Sequence, residues 1–140
     1  MHKSSAWLDC QRNELQKSLK IEICDLKASS HFLYKEQSHP ERCVHAYNDH
    51  EKELFELAET DRNAFVNDVC RTVVAMKKAF SPAKINYGAY SDKLPHLHFH
   101  FVPKYEDGLN YGGTFEMNPQ KTYLSEVEYA GMIIKMVNAL

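Results

Sequence analysis

A chain of 140 residues with 44% hydrophobic and 11% aromatic side chains can bury the core of one folded domain without covalent staples, and it lacks the composition of a disordered segment. A formal net charge of −2 excludes the electrostatic footprint of a protein that grips nucleic-acid polymers or anionic membranes. No apolar stretch approaches membrane-spanning length, the first nine residues lack a leader-like apolar run, and Cys10, Cys24, Cys43 and Cys70 form no Cys-x-x-Cys pair, so reduced thiols in the cytoplasm are expected.

In chain order, Ser4 to Lys20 is polar and weakly periodic, a short helix or an ordered arm. Ile21–Asp25 and His31–Lys35 have strand composition, with a Ser-containing turn at Lys27–Ser30 between them. The polar run Glu36–Arg42, with Pro40, predicts a loop, and Cys43–Tyr47 a third strand. Glu51–Glu59 reads as a turn or short helix with Leu54, Phe55 and Leu57 inward. Thr60 and Asp61 are candidate N-caps for a long helix to about Phe80, whose Phe65, Val66, Val69, Cys70, Val73, Val74 and Phe80 recur at helical spacing. Ser81-Pro82 ends it. Lys84–Tyr90 and Leu94–Pro103 are the fourth and fifth strand candidates. Lys104–Lys121 carries Gly108, Gly112-Gly113 and Pro119 and predicts irregular structure. Ser125-x-x-Glu128 is a capping box that opens a last helix to about Ala139, with Val127, Ala130, Ile133, Ile134 and Val137 inward. Strands gathered around one long helix predict an α+β fold with a mainly antiparallel sheet of about five strands.

The fifth strand candidate is the informative one. Residues two apart on a strand share a face, so His96, His98 and His100 form one row and Leu97, Phe99 and Phe101 the opposite row. Three readings of the imidazole row stay open on the residues alone. They are partly buried polar groups bonded to neighbours, ligands of a metal such as zinc, or phosphate chemistry in which one imidazole attacks phosphorus while the others stabilise its oxygens.

His96-Leu-His98-Phe-His100-Phe-Val102 resembles the His-φ-His-φ-His-φ-φ signature of the histidine-triad (HIT) superfamily, where φ is apolar. Pro95 before it and Pro103-Lys104-Tyr105 after it resemble the diadenosine tetraphosphate hydrolase-like branch, with Phe99 in place of a Trp and Lys104 in place of an Arg. The resemblance extends through Ile85-Asn86-Tyr87 and through Val44 to Leu57, over a recognisable core of about 21–105. Residues 106–140 remain as a C-terminal extension that contains a helix.

The resemblance implies a homodimer with a nucleotide site that calls for no cofactor. It implies a hydrolase or transferase acting at the α-phosphate of a nucleoside polyphosphate, phosphoramidate or related conjugate. His98 matches the family nucleophile, which forms a covalent nucleotidyl-imidazole; His96 and His100 match its flanking residues. His50 matches an additional phosphate-side histidine, and Asn86 a polar phosphate contact. Ile21, Ile23, Phe32 and Leu33 are candidates for the base pocket, or simply core, and Glu36 for the acidic ribose contact. Asp92 stands where the family commonly has Gln or Asn; beside a polyphosphate it would need protonation or a bridging divalent cation. Where some relatives carry a zinc-binding Cys pair near the N-terminus, this chain has Cys10 but Trp7, so a structural zinc is not implied. Two alternatives remain: a nucleotide-binding sensor with little catalysis, and a zinc protein using the histidine row.

Overall fold

The computed structural model describes residues 17–93 and 95–140. Most of the expected arm, including Trp7 and Cys10, therefore lies outside the described residues, as does Leu94; residues 17–19 are helical. Strands β1 (Lys20–Asp25), β2 (Ser29–Tyr34), β3 (Cys43–Tyr47), β4 (Lys84–Gly88) and β5 (His98–Lys104) form one sheet in the order β1-β2-β3-β5-β4, every neighbouring pair antiparallel. Helix α1 (Glu59–Phe80) follows a short 3-10 turn at Leu54–Glu56, and helix α2 (Glu126–Ala139) closes the chain. This is the expected α+β architecture.

The strand and helix edges differ in instructive places. Strand β5 begins at His98, four residues later than expected, because its ladder with β3 ends at Ala46↔His98. Beyond it the Leu97 carbonyl accepts from Tyr47 N (3.0 Å) while Leu97 N donates to the Glu51 carbonyl (2.8 Å), which bends the chain out of the sheet and leaves His96 outside the strand. Helix α1 starts at Glu59 with Ala58 as N-cap, its carbonyl accepting from Arg62 N (2.8 Å), so Thr60 and Asp61 lie in the first turn. There Asp61 suits the positive end of the helix dipole.

The buried faces match the expected ones only in part: Phe65, Val69, Val73 and Phe80 of α1 and Ile133 of α2 pack on the core as expected. Helix α1 buries Phe65, Asp68, Val69, Thr72, Ala75 and Met76, and leaves Val66, Cys70 and Val74 exposed. Phe65 is the hub, with ring centroids 5.5–5.7 Å from Tyr47, His45 and Phe99. In α2 the capping box forms as expected, but Tyr129 and Met136 face the core and Val127, Ala130, Ile134 and Val137 face out. Tyr129 fixes this rotation, since its hydroxyl donates to the Lys35 carbonyl (2.7 Å) and accepts from Leu124 N (3.0 Å). Phe55, expected inward, is 79% exposed, whereas Leu57 is buried.

Asp68 is the reason that α1 turns a polar residue inward. Its Oδ2 accepts from Ala28 N (2.8 Å) and from Ser29 Oγ (2.7 Å). A carboxylate only accepts, so Ser29 Oγ is left to accept from His45 Nε2 (2.7 Å); His45 Nδ1 then accepts from His31 Nδ1 (3.1 Å). Every proton in this chain of four buried groups is assigned by the acid at one end. At the other end His31 Nε2 has no partner among the described residues.

Burial drives the pKa of His31 down from the ordinary 6.5 to about 3 and that of His45 to about 4. Folded, both stay neutral while the unfolded chain protonates below about pH 6.5. Their contribution is thus complete above that pH and is lost as pH falls toward about 4. Thermal melts are expected to show a lower Tm at about pH 5 than at about pH 7, with a shallower slope in His31→Leu. An unchanged Tm across that interval would contradict the assignment.

Candidate functional site

Strand β5 has two chemically different faces. Phe99 and Phe101 look toward α1, whereas His98 and His100 look to the opposite side of the sheet. On that side Ala46 and Val44 lie across from His98 and His100 on β3, and Gly88 lies across from His100 on β4. A Cβ added at Gly88 would sit 2.7 Å from the Tyr90 ring, so glycine lets that ring close over the edge of the site.

The tautomer of His98 follows from its partners. Its Nδ1 lies 2.8 Å from the His96 carbonyl, which can only accept, so Nδ1 carries the proton and Nε2 holds the lone pair. Ser91, at φ +62°, donates its hydroxyl to the same carbonyl (2.9 Å) and sits 3.1 Å from His98 Nδ1. Burial pulls the His98 pKa below its ordinary value, against the hydrogen bond to His96. The ring is therefore neutral near pH 7 with a nucleophilic nitrogen.

His96 donates from Nε2 to the Tyr47 carbonyl (2.7 Å), and its ring stands 6.3 Å from the exposed His50, edge to face. His100 lies 5.3 Å from His98 between centroids, with the rings of Tyr34 (5.7 Å) and Tyr90 (6.2 Å) around it. The four expected histidines are thus brought together, though His96 comes from the bend and not from the strand row. Asn86 lies on the same face of β4, paired with Val102. Asp92 is exposed in the bend between β4 and β5.

Glu36 is a correction. Its carboxylate is 4% exposed, and Oε2 accepts from Ser38 N (3.1 Å), Ser38 Oγ (2.6 Å) and Thr122 N (2.7 Å). It ties the β2–β3 loop to the segment before α2 instead of standing free for a ribose. Ile21, Ile23 and Leu33 likewise pack into the core; of the base-pocket candidates, Phe32 shares the histidine face.

Two cations near the triad were missed from the sequence. Lys20 lies 3.9 Å above the Phe32 ring, and burial lowers its pKa to about 8. Arg42, completely buried, donates from Nη2 to His100 Nδ1 (3.0 Å). A lone charged residue closing a polar loop carries no sequence signal that separates it from a solvated one. Segment 106–124 covers this end of the face: Lys104 Nζ donates to the carbonyls of Asn110 (2.6 Å) and Gly113 (2.8 Å), and His39 Nε2 to that of Glu116 (2.8 Å). No group of three His, Cys, Asp or Glu side chains among the described residues is arranged to hold a metal ion.

No protein-family model matches the chain, and no curated protein matches it. Solved structures do share its fold. A histidine triad protein from Sinorhizobium meliloti 1021 superposes with TM-score 0.83 at 23% identity, covering 91% of this chain and 94% of that one. One from Bradyrhizobium japonicum gives 0.82 at 18%, covering 89% and 93%. A hypothetical histidine triad nucleotide-binding protein from Sulfolobus tokodaii strain 7 gives 0.69 at 14%, covering 89% and 87%. The fold is that of the histidine-triad proteins.

Because Glu36 holds three donors in a buried setting, Glu36→Ala is expected to cost about 1–3 kcal/mol in denaturant unfolding. A ligand carboxylate waiting in an open cleft would give a change near zero.

Proposed function

We propose that this chain is a histidine-triad nucleotide hydrolase or nucleotidyl transferase, with His98 as its nucleophile. The observation that carries the reading is the His98 Nδ1–H bond to the His96 carbonyl, which leaves Nε2 unprotonated beside His96, His100 and His50. The likeness in fold to histidine triad proteins, one of them described as nucleotide-binding, supports it.

In the first step the Nε2 lone pair forms an N–P bond at the α-phosphorus. The P–O or P–N bond to the leaving group breaks, and the leaving group departs with that electron pair and takes a proton. The nucleotidyl-imidazolium so formed keeps its Nδ1–H on the His96 carbonyl, which stabilises the new positive charge. Water then forms a P–O bond, the N–P pair returns to Nε2, and a nucleoside monophosphate and a proton are released. His96, His100, His50 and Asn86 contact the phosphate oxygens. No cofactor is called for, and a divalent cation between Asp92 and a polyphosphate would relieve their repulsion.

We read the protein as a homodimer, on the apolar side chains left exposed on the edge strand β4 (Tyr87) and on α1 (Val66, Val74). Free Cys24, Cys43 and Cys70 support a reducing, cytoplasmic setting, and no helix among the described residues is long and apolar enough to cross a membrane.

Incubation with a diadenosine polyphosphate and with an adenosine phosphoramidate is expected to release AMP, and His98→Asn to lower the rate at least about a hundredfold. Tight nucleotide binding without turnover of either would leave a sensor in place of an enzyme. Light scattering on the eluting protein is expected to give twice the chain mass; a monomer at micromolar concentration would refute the dimer.

A further inference from the structure

We propose that Arg42 is a positioning residue that holds His100 as a neutral imidazole, with its single proton on Nε2 facing the substrate's phosphoryl oxygens. The donor role toward phosphate rests on the nucleotidyl-transfer reading above; the protonation state rests on geometry alone.

A guanidinium carries only N–H donors, so a nitrogen 3.0 Å from Arg42 Nη2 must accept. His100 Nδ1 therefore holds a lone pair, and the ring's proton belongs on Nε2. Protonating Nδ1 would set two N–H groups against each other and two positive charges side by side. Arg42 has little freedom to retreat. Its guanidinium carbon lies 4.3 Å from the Tyr34 ring and 5.4 Å from that of Phe115. Nη1 donates to the Met117 carbonyl and to Asn118 Oδ1 (3.3 Å), and Nη2 also meets Met117 Sδ (2.7 Å).

The polar partners of this buried cation are all neutral, and its Nε has none among the described residues. No carboxylate hydrogen-bonds the guanidinium, and among the acids the Glu36 charge favours its cationic form only from beyond hydrogen-bond reach, although a buried charge is costly. What it does do is set one face of a triad imidazole.

Arg42, His98 and Lys20 all disfavour a positive charge on His100. Arg42 faces it from the β2–β3 loop, His98 from its own strand, Lys20 from β1, Tyr34 from β2 and Tyr90 from the turn after β4. No carboxylate is among them, so nothing favours an imidazolium. Burial first, then Arg42, take the pKa of His100 down to about 3. A neutral Nε2–H can donate to a phosphoryl oxygen as negative charge grows, and it never competes as a cation that binds the ground state equally well.

The test is nitrogen-15 NMR of histidine-labelled full-length protein, following each imidazole from about pH 8 to about pH 5. His100 is expected to show a bare Nδ1 and a protonated Nε2 throughout. A His100 that titrates in that interval, or carries its proton on Nδ1, overturns the proposal. Arg42→Met keeps the apolar stem but removes the donor. With no donor facing it, His100 Nδ1 should share the ring proton with Nε2, and kcat for an adenosine phosphoramidate should fall about tenfold to a hundredfold with little change in KM. Arg42→Lys, which retains a donor and a charge, should keep the Nε2–H tautomer and recover much of the rate. If Arg42→Met does not fold, the wild-type tautomer and the lysine variant decide the question. Wild-type protein with the expected tautomer but no nucleotide turnover would overturn the transfer reading and the donor role with it. An active enzyme with a titrating His100 would overturn the role of Arg42 alone.

Discussion

The pairing of β3 with β5, and the point at which it stops, organises this protein. As long as the ladder runs, β5 alternates strictly, placing phenyl rings on the helix side and imidazoles on the other. At Ala46↔His98 the ladder ends, and Leu97 is taken by Tyr47 and Glu51. That release turns the His96 carbonyl back to His98 Nδ1 instead of across to a neighbouring strand. A backbone oxygen thereby becomes the group that fixes which nitrogen of His98 holds the lone pair. One residue more of regular pairing would have kept the histidine row straighter and left the His98 tautomer unspecified.

Both faces of the sheet bury polar groups, and both settle proton positions by the same rule. On the helix side an acceptor-only carboxylate, Asp68, orders Ser29, His45 and His31 in sequence. On the triad side a donor-only guanidinium, Arg42, orders His100, and an acceptor-only carbonyl orders His98. Imidazole can take either role, so a partner of fixed polarity must choose for it. The cost is three buried atoms, His31 Nε2, Glu36 Oε1 and Arg42 Nε, left without partners among the described residues. The segment between β5 and α2 belongs to this arrangement: its Met117 carbonyl, Asn118 side chain and Phe115 ring enclose Arg42, while Glu36 fastens its far end.

Local signals served well where one short-range rule decides. Cys43–Tyr47 forms the expected strand, Ser125 and Glu128 form the capping box, and Ser81 in the left-handed conformation ends α1 before Pro82. They failed where a helix has apolar residues all round. Val66, Cys70 and Val74 compete with Phe65, Val69 and Met76 for the core, and Val127, Ile134 and Val137 compete with Met132, Ile133 and Met136. Periodicity cannot rank two apolar faces; Asp68 and Tyr129, each with hydrogen bonds only one rotation can make, break the tie. Glu36 was misplaced for a related reason, because an acid at the end of a strand has the same sequence signature whether it meets a ligand or a backbone amide.

The sequence by itself determined the two-faced strand, the α+β class and the row of three histidines, while His50 joined them only through the family resemblance. The row follows from spacing along the chain, and spacing is a local property. Only the tertiary structure decided which imidazole nitrogens carry protons, because those are set by partners distant in sequence: Tyr47 for His96, Arg42 for His100, and Asp68 through Ser29 for His45. His98 is the exception, since its partner is two residues away. Even there, the carbonyl is free to turn only because a strand fifty residues earlier has come to its end.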